Sequence, residues 1–374
     1  MNVHRLRRDF PALEDWTYLD TAFVGLYPLQ VRKGYEEFLD RWMLFNAVGT
    51  KTILTEWLEK TEKVRAMVAD FIGASPDEVS FTMCTGSGLN IVVNGIEWSR
   101  SDNVVFPEWE HNPLDTNTLR KHGVEIRPIK AEGGSVELGD FEKVIDDDTR
   151  LVQVSQVSYV NGFRFDLNEL ANIVHEHDAK LMVDATQAVG GLMVDMKNED
   201  ADYLSAAPYK YLMGPAGLAF LYVRQENIGE LIPDRVGWKN QIWEGEHAEE
   251  PIETPETARK FEYGTVHFQG VYGLEKSIEY LNGIGIENIE RRNLELVDYL
   301  WNGLCDKGKE MYTPPGTESP IVSFFDDNAV EFAAKLMSEK VKVTGREAHG
   351  GHLRVSCHFY NTKEEIDNFI EKLS

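Results

Sequence analysis

The chain has 374 residues, 42% hydrophobic and 27% charged, an ordinary globular composition sufficient for one large core and a smaller one. With 63 acidic residues against 38 basic ones its formal net charge is −25, which argues against nucleic acid and anionic membrane surfaces as partners. Met1–Phe10 is charged, no apolar run approaches the roughly 20 residues that span a bilayer, and Cys84, Cys305 and Cys357 are too scattered for a disulfide framework or a metal centre, so a cytoplasmic protein with reduced thiols and no metal is expected.

In chain order, Leu54 to Ile72 places Val64, Met67, Val68 and Phe71 on one helical stripe. From Val79 onward, strand-like runs at Val79–Thr82, Val104–Phe106, Val124–Ile129, Leu151–Ser155 and Leu181–Asp184 alternate with helical patterns such as Leu167, Leu170, Ala171 and Val174. Alternating units of this kind predict a mostly parallel sheet covered by helices on both faces. Asp202–Ala206 and Leu218–Val223 are separated by a connection too short and too irregular for a parallel crossover, so they read as an antiparallel pair. Glu244–Glu256 is an acidic, loop-like stretch. Beyond about Thr254 long helices at Ile286–Leu304 and Val330–Ser338 stand between strands Ile321–Phe325, Val341–Thr344 and His352–Ser356. Asn361–Leu373 closes the chain as a helix, with Thr362 and Glu365 spaced as a capping box and Ile366, Phe369, Ile370 and Leu373 as its buried stripe. The expected organisation is an N-terminal segment 1–15, a large α/β domain over 16–253 with a seven-stranded, mostly parallel sheet, and a small α+β domain over 254–374.

Three segments carry residues suited to chemistry. In Val183-Asp184-Ala185-Thr186-Gln187 an acid stands at the carboxyl end of a buried strand, the edge where open α/β sheets place their ligands. A carboxylate buried there needs a cation, and a protonated pyridine nitrogen would serve; the competing reading is that Asp184 caps a following helix. In Ala207-Pro208-Tyr209-Lys210-Tyr211-Leu212-Met213-Gly214-Pro215 a lysine is flanked by aromatics. Held against apolar walls, its amine has a lowered pKa and suits Schiff-base formation and proton transfer, although a loop lysine taken alone is usually just solvated. In Phe81-Thr82-Met83-Cys84-Thr85-Gly86-Ser87-Gly88 a strand runs through a small-residue turn into a helix whose free N–H groups form an anion site fit for a phosphate.

These segments, in this order and together with Glu110-His111, resemble class V of the aminotransferase superfamily, the group of cysteine desulfurases, selenocysteine lyases, isopenicillin N epimerase and kynureninase. The likeness runs nearly end to end, from Tyr18-Leu19-Asp20-Thr21-Ala22 through Phe261-Glu262-Tyr263-Gly264-Thr265 to Arg354-Val355-Ser356 and Tyr360-Asn361-Thr362. It implies the fold type I, aspartate-aminotransferase-like fold, pyridoxal 5'-phosphate as cofactor, an amino-acid substrate and a homodimer with shared active sites. It also implies individual roles. Lys210 matches the Schiff-base lysine, Asp184 the partner of the pyridine nitrogen, Gln187 the neighbour of the phenolic oxygen, and His111 the histidine that stacks on the ring and is a candidate proton shuttle, which makes Lys210, Asp184 and His111 the expected catalytic residues. Thr85 and Gly86 match the phosphate turn, and Tyr209 stands where desulfurases often have a phosphate-binding histidine. Thr265 matches a residue that reaches the neighbouring subunit's phosphate, and Arg354 the arginine that grips the substrate carboxylate.

The departures narrow the expected reaction. Desulfurases carry a mobile cysteine ahead of the carboxylate-binding arginine, but Val343 to His352 contains none. Tyr159 replaces the family's asparagine near the cofactor face, and Asp20-Thr21 stands where Asp-Asn is commoner. Tyr159, Tyr209 and Gly237-Trp238 are similar to kynureninase, which makes Tyr159 and Trp238 candidates for the substrate pocket beside Arg354. Aminotransferase chemistry through a Cα carbanion is therefore expected first, a desulfurase-like or kynureninase-like lyase or an epimerase second, and a binding or regulatory protein that retains the fold last.

Overall fold

Runs rich in Val, Ile, Leu and Phe form the inner strands of the main sheet, which are buried almost throughout because helices cover both faces, while the edge strand Glu125–Ile129 is largely unburied. The computed structural model describes residues 1–44, 50–111, 114–131, 133–242 and 253–373, so positions 244–252 of the acidic stretch lie outside the described residues. Strands are numbered in chain order: β1 Thr17–Tyr18, β2 Val79–Thr82, β3 Asn103–Pro107, β4 Glu125–Ile129, β5 Thr149–Ser155, β6 Lys180–Asp184, β7 Tyr203–Ala206, β8 Ala219–Val223, β9 Ile321–Phe325, β10 Val341–Lys342, β11 Thr344–Arg346 and β12 His352–Ser356.

The large sheet has the order β2-β8-β7-β6-β5-β3-β4. Its neighbours are parallel except at β8, which runs antiparallel to both β7 and β2. This is the mostly parallel seven-stranded sheet expected, with the β7–β8 pair antiparallel as the short connection requires. Register brings Ser155, Asp184 and Ser205 into one row at the carboxyl ends of β5, β6 and β7. That row is the floor of the candidate site. Leu167–His175 is helical, starts on Asp166, whose side chain accepts from the N–H groups of Asn168 and Glu169, and buries Leu167, Leu170, Ala171 and Val174.

A second, antiparallel sheet has the order β11-β12-β9, backed by Leu296, Leu300, Phe324, Leu353, Val355 and Phe369. The closing helix Lys363–Glu371 has the expected Thr362/Glu365 capping box. The sequence presents Val341–Thr344 as one strand, whereas the structure divides it: β10 pairs in parallel with β1, and β11 pairs with β12. Burial alternates smoothly through Val341 and Val343, so the pattern looks continuous although the hydrogen-bonding partner changes. Two helices not singled out from the sequence, Leu29–Met43 and Phe268–Ile284, pack on each other through Phe38 and Tyr272, whose rings lie 5.5 Å apart. Among the described residues no helix is long and apolar enough to cross a membrane.

Arg65, on the helix Thr50–Phe71, is wholly buried, with Nη1 2.5 Å from Glu262 Oε1 and 2.9 Å from the Val79 carbonyl. Glu262 also accepts from the Phe81 N–H at 2.7 Å and pairs with Lys239. Although burial works against its ionised form, these cations hold the Glu262 carboxyl below its ordinary range. The pair therefore fastens a helix, strand β2 and the 258–265 segment together. Removing one partner strands a buried charge, so Arg65→Met is expected to cost about 3–5 kcal/mol of unfolding free energy, read as a lower urea midpoint. A loss below about 1 kcal/mol, the range of an exposed pair, would contradict that reading.

Candidate active site

Asp184 ends β6 and is 5% exposed; its Oδ1 accepts from the Thr186 N–H at 2.9 Å. Turns rather than a helix follow it, so the carboxylate closes a turn and the helix-cap reading does not apply. Lys210 lies in the connection between β7 and β8, which the reversal of β8 folds back over the carboxyl ends of the central strands. This turn is held by Met213 N–H on the Lys210 carbonyl at 3.0 Å and Gly214 N–H on the Pro208 carbonyl at 2.8 Å. Met213 takes up the sharp bend with φ 53°, a strained value for a side-chain-bearing residue of the kind that clusters at active sites. Gly25 presses against the same turn: its N–H donates to the Tyr209 carbonyl at 2.8 Å, and a Cβ there would sit 1.9 Å from the Lys210 oxygen.

Burial pushes the Lys210 amine down to about 8, with Asp184 opposing the shift and Arg354 and Arg346 reinforcing it. At neutral pH the amine is charged, yet it yields a proton far more readily than a surface lysine. Tyr209 is half-buried with its ring 5.8 Å from Lys210 Nζ. His111 stands at the cleft mouth, its ring 4.8 Å from that of Tyr159 and tilted by 51°. Partial burial, then Lys210, keeps the His111 imidazole below its ordinary range and so neutral at pH 7.

The preceding residue, quoted from the sequence only as part of a motif, has a clear place in this arrangement. Glu110 accepts from the Ser155 N–H at 2.8 Å and from the Ser155 hydroxyl at 2.5 Å. Burial pushes its carboxyl up to about 8, with Asp184 adding to the shift, so it holds its proton at neutral pH and anchors the His111 segment without adding negative charge beside Asp184.

At the other end of the row, Thr85–Gly95 is a helix whose N-cap, Cys84, makes no side-chain cap, which leaves its first N–H groups for a ligand. Thr85 Oγ1 lies 2.7 Å from Thr186 Oγ1, and Ser205 Oγ donates to the Thr85 carbonyl at 3.1 Å, so this turn is tied to the row that holds Asp184. Gln187 donates from Nε2 to the Ala22 carbonyl at 3.0 Å, while its Oε1 is buried without a partner. On β12, Arg354 is 1% exposed; Nη1 donates to the Tyr159 carbonyl at 2.7 Å and Nη2 lies 3.4 Å from Asp20 Oδ1.

Contacts or electrostatic pairing thus link Lys210, Asp184, His111, Thr85, Tyr209, Tyr159 and Arg354 within the single chain, and Gln187 and Gly86 follow directly on the linked Thr186 and Thr85. Thr265 and Trp238 do not join them: Thr265 lines a separate cavity with Phe81, Met83 and Tyr263, and Trp238 is 50% exposed. Asp20, Gly25, Glu110 and Thr186 were not identified as functional from the sequence. Glu110, Thr186 and Asp20 each stood within a quoted motif, whereas Gly25 matters through a contact far apart in the chain.

A lysine and a carboxylate beside a free helix N-terminus, at the carboxyl edge of a mostly parallel seven-stranded sheet, define a fold type I pyridoxal-phosphate enzyme. The aminotransferase class-V family model matches residues 17–369, and the chain belongs to that family. It is 34% identical to a probable cysteine desulfurase of Methanothermobacter thermautotrophicus, covering 100% of this chain and 98% of the relative. The apo structure of cysteine desulfurase from Thermococcus onnurineus NA1 superposes with a TM-score of 0.89 at 29% identity, covering 98% of this chain and 96% of that one. A C-DES mutant with glycine covalently linked to its PLP cofactor shares the fold, with a TM-score of 0.89 at 21% identity and 98% coverage of both chains.

The cofactor is pyridoxal 5'-phosphate, and the residues present fit it. The unpartnered Gln187 Oε1, the uncapped helix start at Thr85 and the buried Lys210 and Asp184 supply a polar contact, an anion site, an amine and a fixed negative charge. In protein stripped of cofactor and then given it back, formation of the Schiff base with the protein is expected to quicken as pH rises through about 8, where Lys210 loses its proton, and to be abolished by Lys210→Ala. Visible absorbance after adding cofactor reports both. A rate that is flat across that range, or a borohydride-reducible band in the variant, would contradict the role of Lys210.

Proposed function

We propose that the chain is an aminotransferase acting on an α-amino acid, with Lys210 Nζ moving the proton at the substrate's α-carbon. The observation that carries the choice is the β11–β12 hairpin. This segment, which runs up to the carboxylate-binding position Arg354, contains no thiol from Val343 to His352. Cys357 is fully buried and its thiol is pushed up to about 12 by that burial, so it supplies no thiolate. Cys84 lies at the start of the Thr85 helix and not on the hairpin.

When bound, pyridoxal phosphate supplies the electron sink that makes the α-proton removable. Each residue then has a task. The N–H groups at Thr85 and Gly86, with the Thr85 hydroxyl, hold the phosphate, and Tyr209 lines that end. Asp184 provides the fixed charge for the ring nitrogen, Gln187 the contact to the phenolic oxygen, and His111, braced by Tyr159, covers the outer ring face. Arg354 takes the substrate's α-carboxylate in a bidentate grip, which orients the α-hydrogen toward Lys210. Lys210, held near its proton-exchange range, accepts that proton and returns it elsewhere on the substrate. Thr265 and Trp238 complete the site from a second copy in a homodimer; for Thr265 this accounts for its place in a cavity that Lys210 does not line.

A second reading, a lyase that releases sulfur from cysteine, is favoured by the names of the relatives at 34% and 29% identity. Incubating the loaded enzyme with amino-acid donors and a 2-keto acid acceptor separates the two. Transfer of the amino group to the acceptor, in step with keto-acid formation from the donor, is expected. Sulfide released from cysteine at a rate above that of amino transfer would overturn the aminotransferase reading.

A further inference from the structure

We propose that Arg346 is a second anion-binding group of this site, one that selects amino acids carrying a carboxylate or similar anion on the side chain. The inference rests on reading the cleft as the site of an α-amino acid. Its starting point is register: Thr344 lies opposite Arg354 and Arg346 opposite His352. Residues two apart along a strand share a face, so the Arg346 and Arg354 side chains leave the same face of the hairpin as diagonal neighbours.

The two arginines are held differently. Arg354 has the Tyr159 carbonyl and Asp20 as partners. The guanidinium of Arg346 lies 4.9 Å over the Tyr159 ring, its Nε is buried without a hydrogen-bond partner, and no described carboxylate forms an ion pair with it. Lys342 is already 3.3 Å from Asp20 Oδ2. Among the described residues the carboxyl groups that act on Lys210 or Arg346 are Asp20 and Asp184, while Glu110 holds its proton at neutral pH.

Holding a half-buried guanidinium beside another one costs desolvation and repulsion; both depress its proton affinity, burial first and Arg354 second. An arriving anion removes that cost. In the proposed arrangement the substrate's α-carboxylate goes to Arg354 and the cofactor phosphate to the Thr85 turn, so Arg346 is the remaining acceptor of negative charge. Arg346 also borders an open cavity of about 380 Å³ with Phe23, Lys342 and Thr344. The planar face of Tyr159 holds the guanidinium without using its N–H fork, which stays available for a bidentate contact.

The test uses holoenzyme, wild type and Arg346→Gln, with two readouts. In turnover, aspartate, glutamate and 2-aminoadipate are compared with asparagine, glutamine and norleucine. At least one acidic member is expected to be favoured in the wild type, chiefly through KM. The variant is expected to lose about ten- to hundredfold for that member and much less with neutral amino acids. In calorimetry, non-reacting succinate, glutarate and butyrate are titrated into both proteins, where tighter binding of a dicarboxylate is expected only with Arg346 present. Equal losses for acidic and neutral ligands, or no preference in the wild type, would overturn the inference. Failure of the aminotransferase reading is seen separately: Arg346-dependent dicarboxylate binding without amino transfer would sink that reading and leave this one standing. Arg346→Gln must keep the visible cofactor absorbance, since Arg346 has no part in holding the cofactor.

Discussion

A carboxylate buried at the end of a central parallel strand has to be met by positive charge, and most of the site follows from where Asp184 stands. The strand row fixes it between Ser155 and Ser205, and the Thr186 N–H fixes its orientation. The connection to β8 leaves from the carboxyl end of β7 and so brings a lysine to the same edge. Lys210 arrives there at the expense of its own solvation, which gives it a readily transferred proton. Glu110 shows the same constraint from the other side. A second carboxylate so close is tolerated in its neutral form, bonded twice to Ser155.

Electrostatics divides the cleft into three regions. The helix start at Thr85 supplies partial positive charge from backbone N–H groups, the Asp184–Lys210 pair governs the middle, and the hairpin bearing Arg346 and Arg354 supplies guanidinium groups. Hydrogen bonds fasten these regions together: the neutral Thr85–Thr186 pair ties the helix start to the Asp184 row, and the charged Arg354 guanidinium donates to the Tyr159 carbonyl.

Much of this was legible in the sequence wherever a single segment carries the information. The strands of the large sheet, the antiparallel turn after β7, the capping box at Thr362 and the elements bearing Lys210, Asp184 and Arg354 all announce themselves through local patterning. What escaped depends on contacts between distant segments. Val341–Thr344 alternates like one strand and is two, because β1 borrows its first half. Gly25 looks like an ordinary loop glycine until the Lys210 peptide is found against it. Arg346 sits in the very interval read for its missing cysteine, and nothing local shows that its side chain stacks on Tyr159.

The N-terminal stretch from Thr17 to Gly25 touches both sides of the cleft. At its start it pairs with β10, in its middle Asp20 meets Arg354 and Thr344, and at its end Gly25 is bonded to the Tyr209 peptide. Although Lys210 and Arg354 are far apart in the chain, this one short stretch, folded back on itself at the turn after Asp20, is bonded to the segments that carry both. Under the proposed roles of the two residues, it sets how far a substrate's carboxylate stands from the group that takes its α-hydrogen, and selection among amino acids is left to residues beyond it.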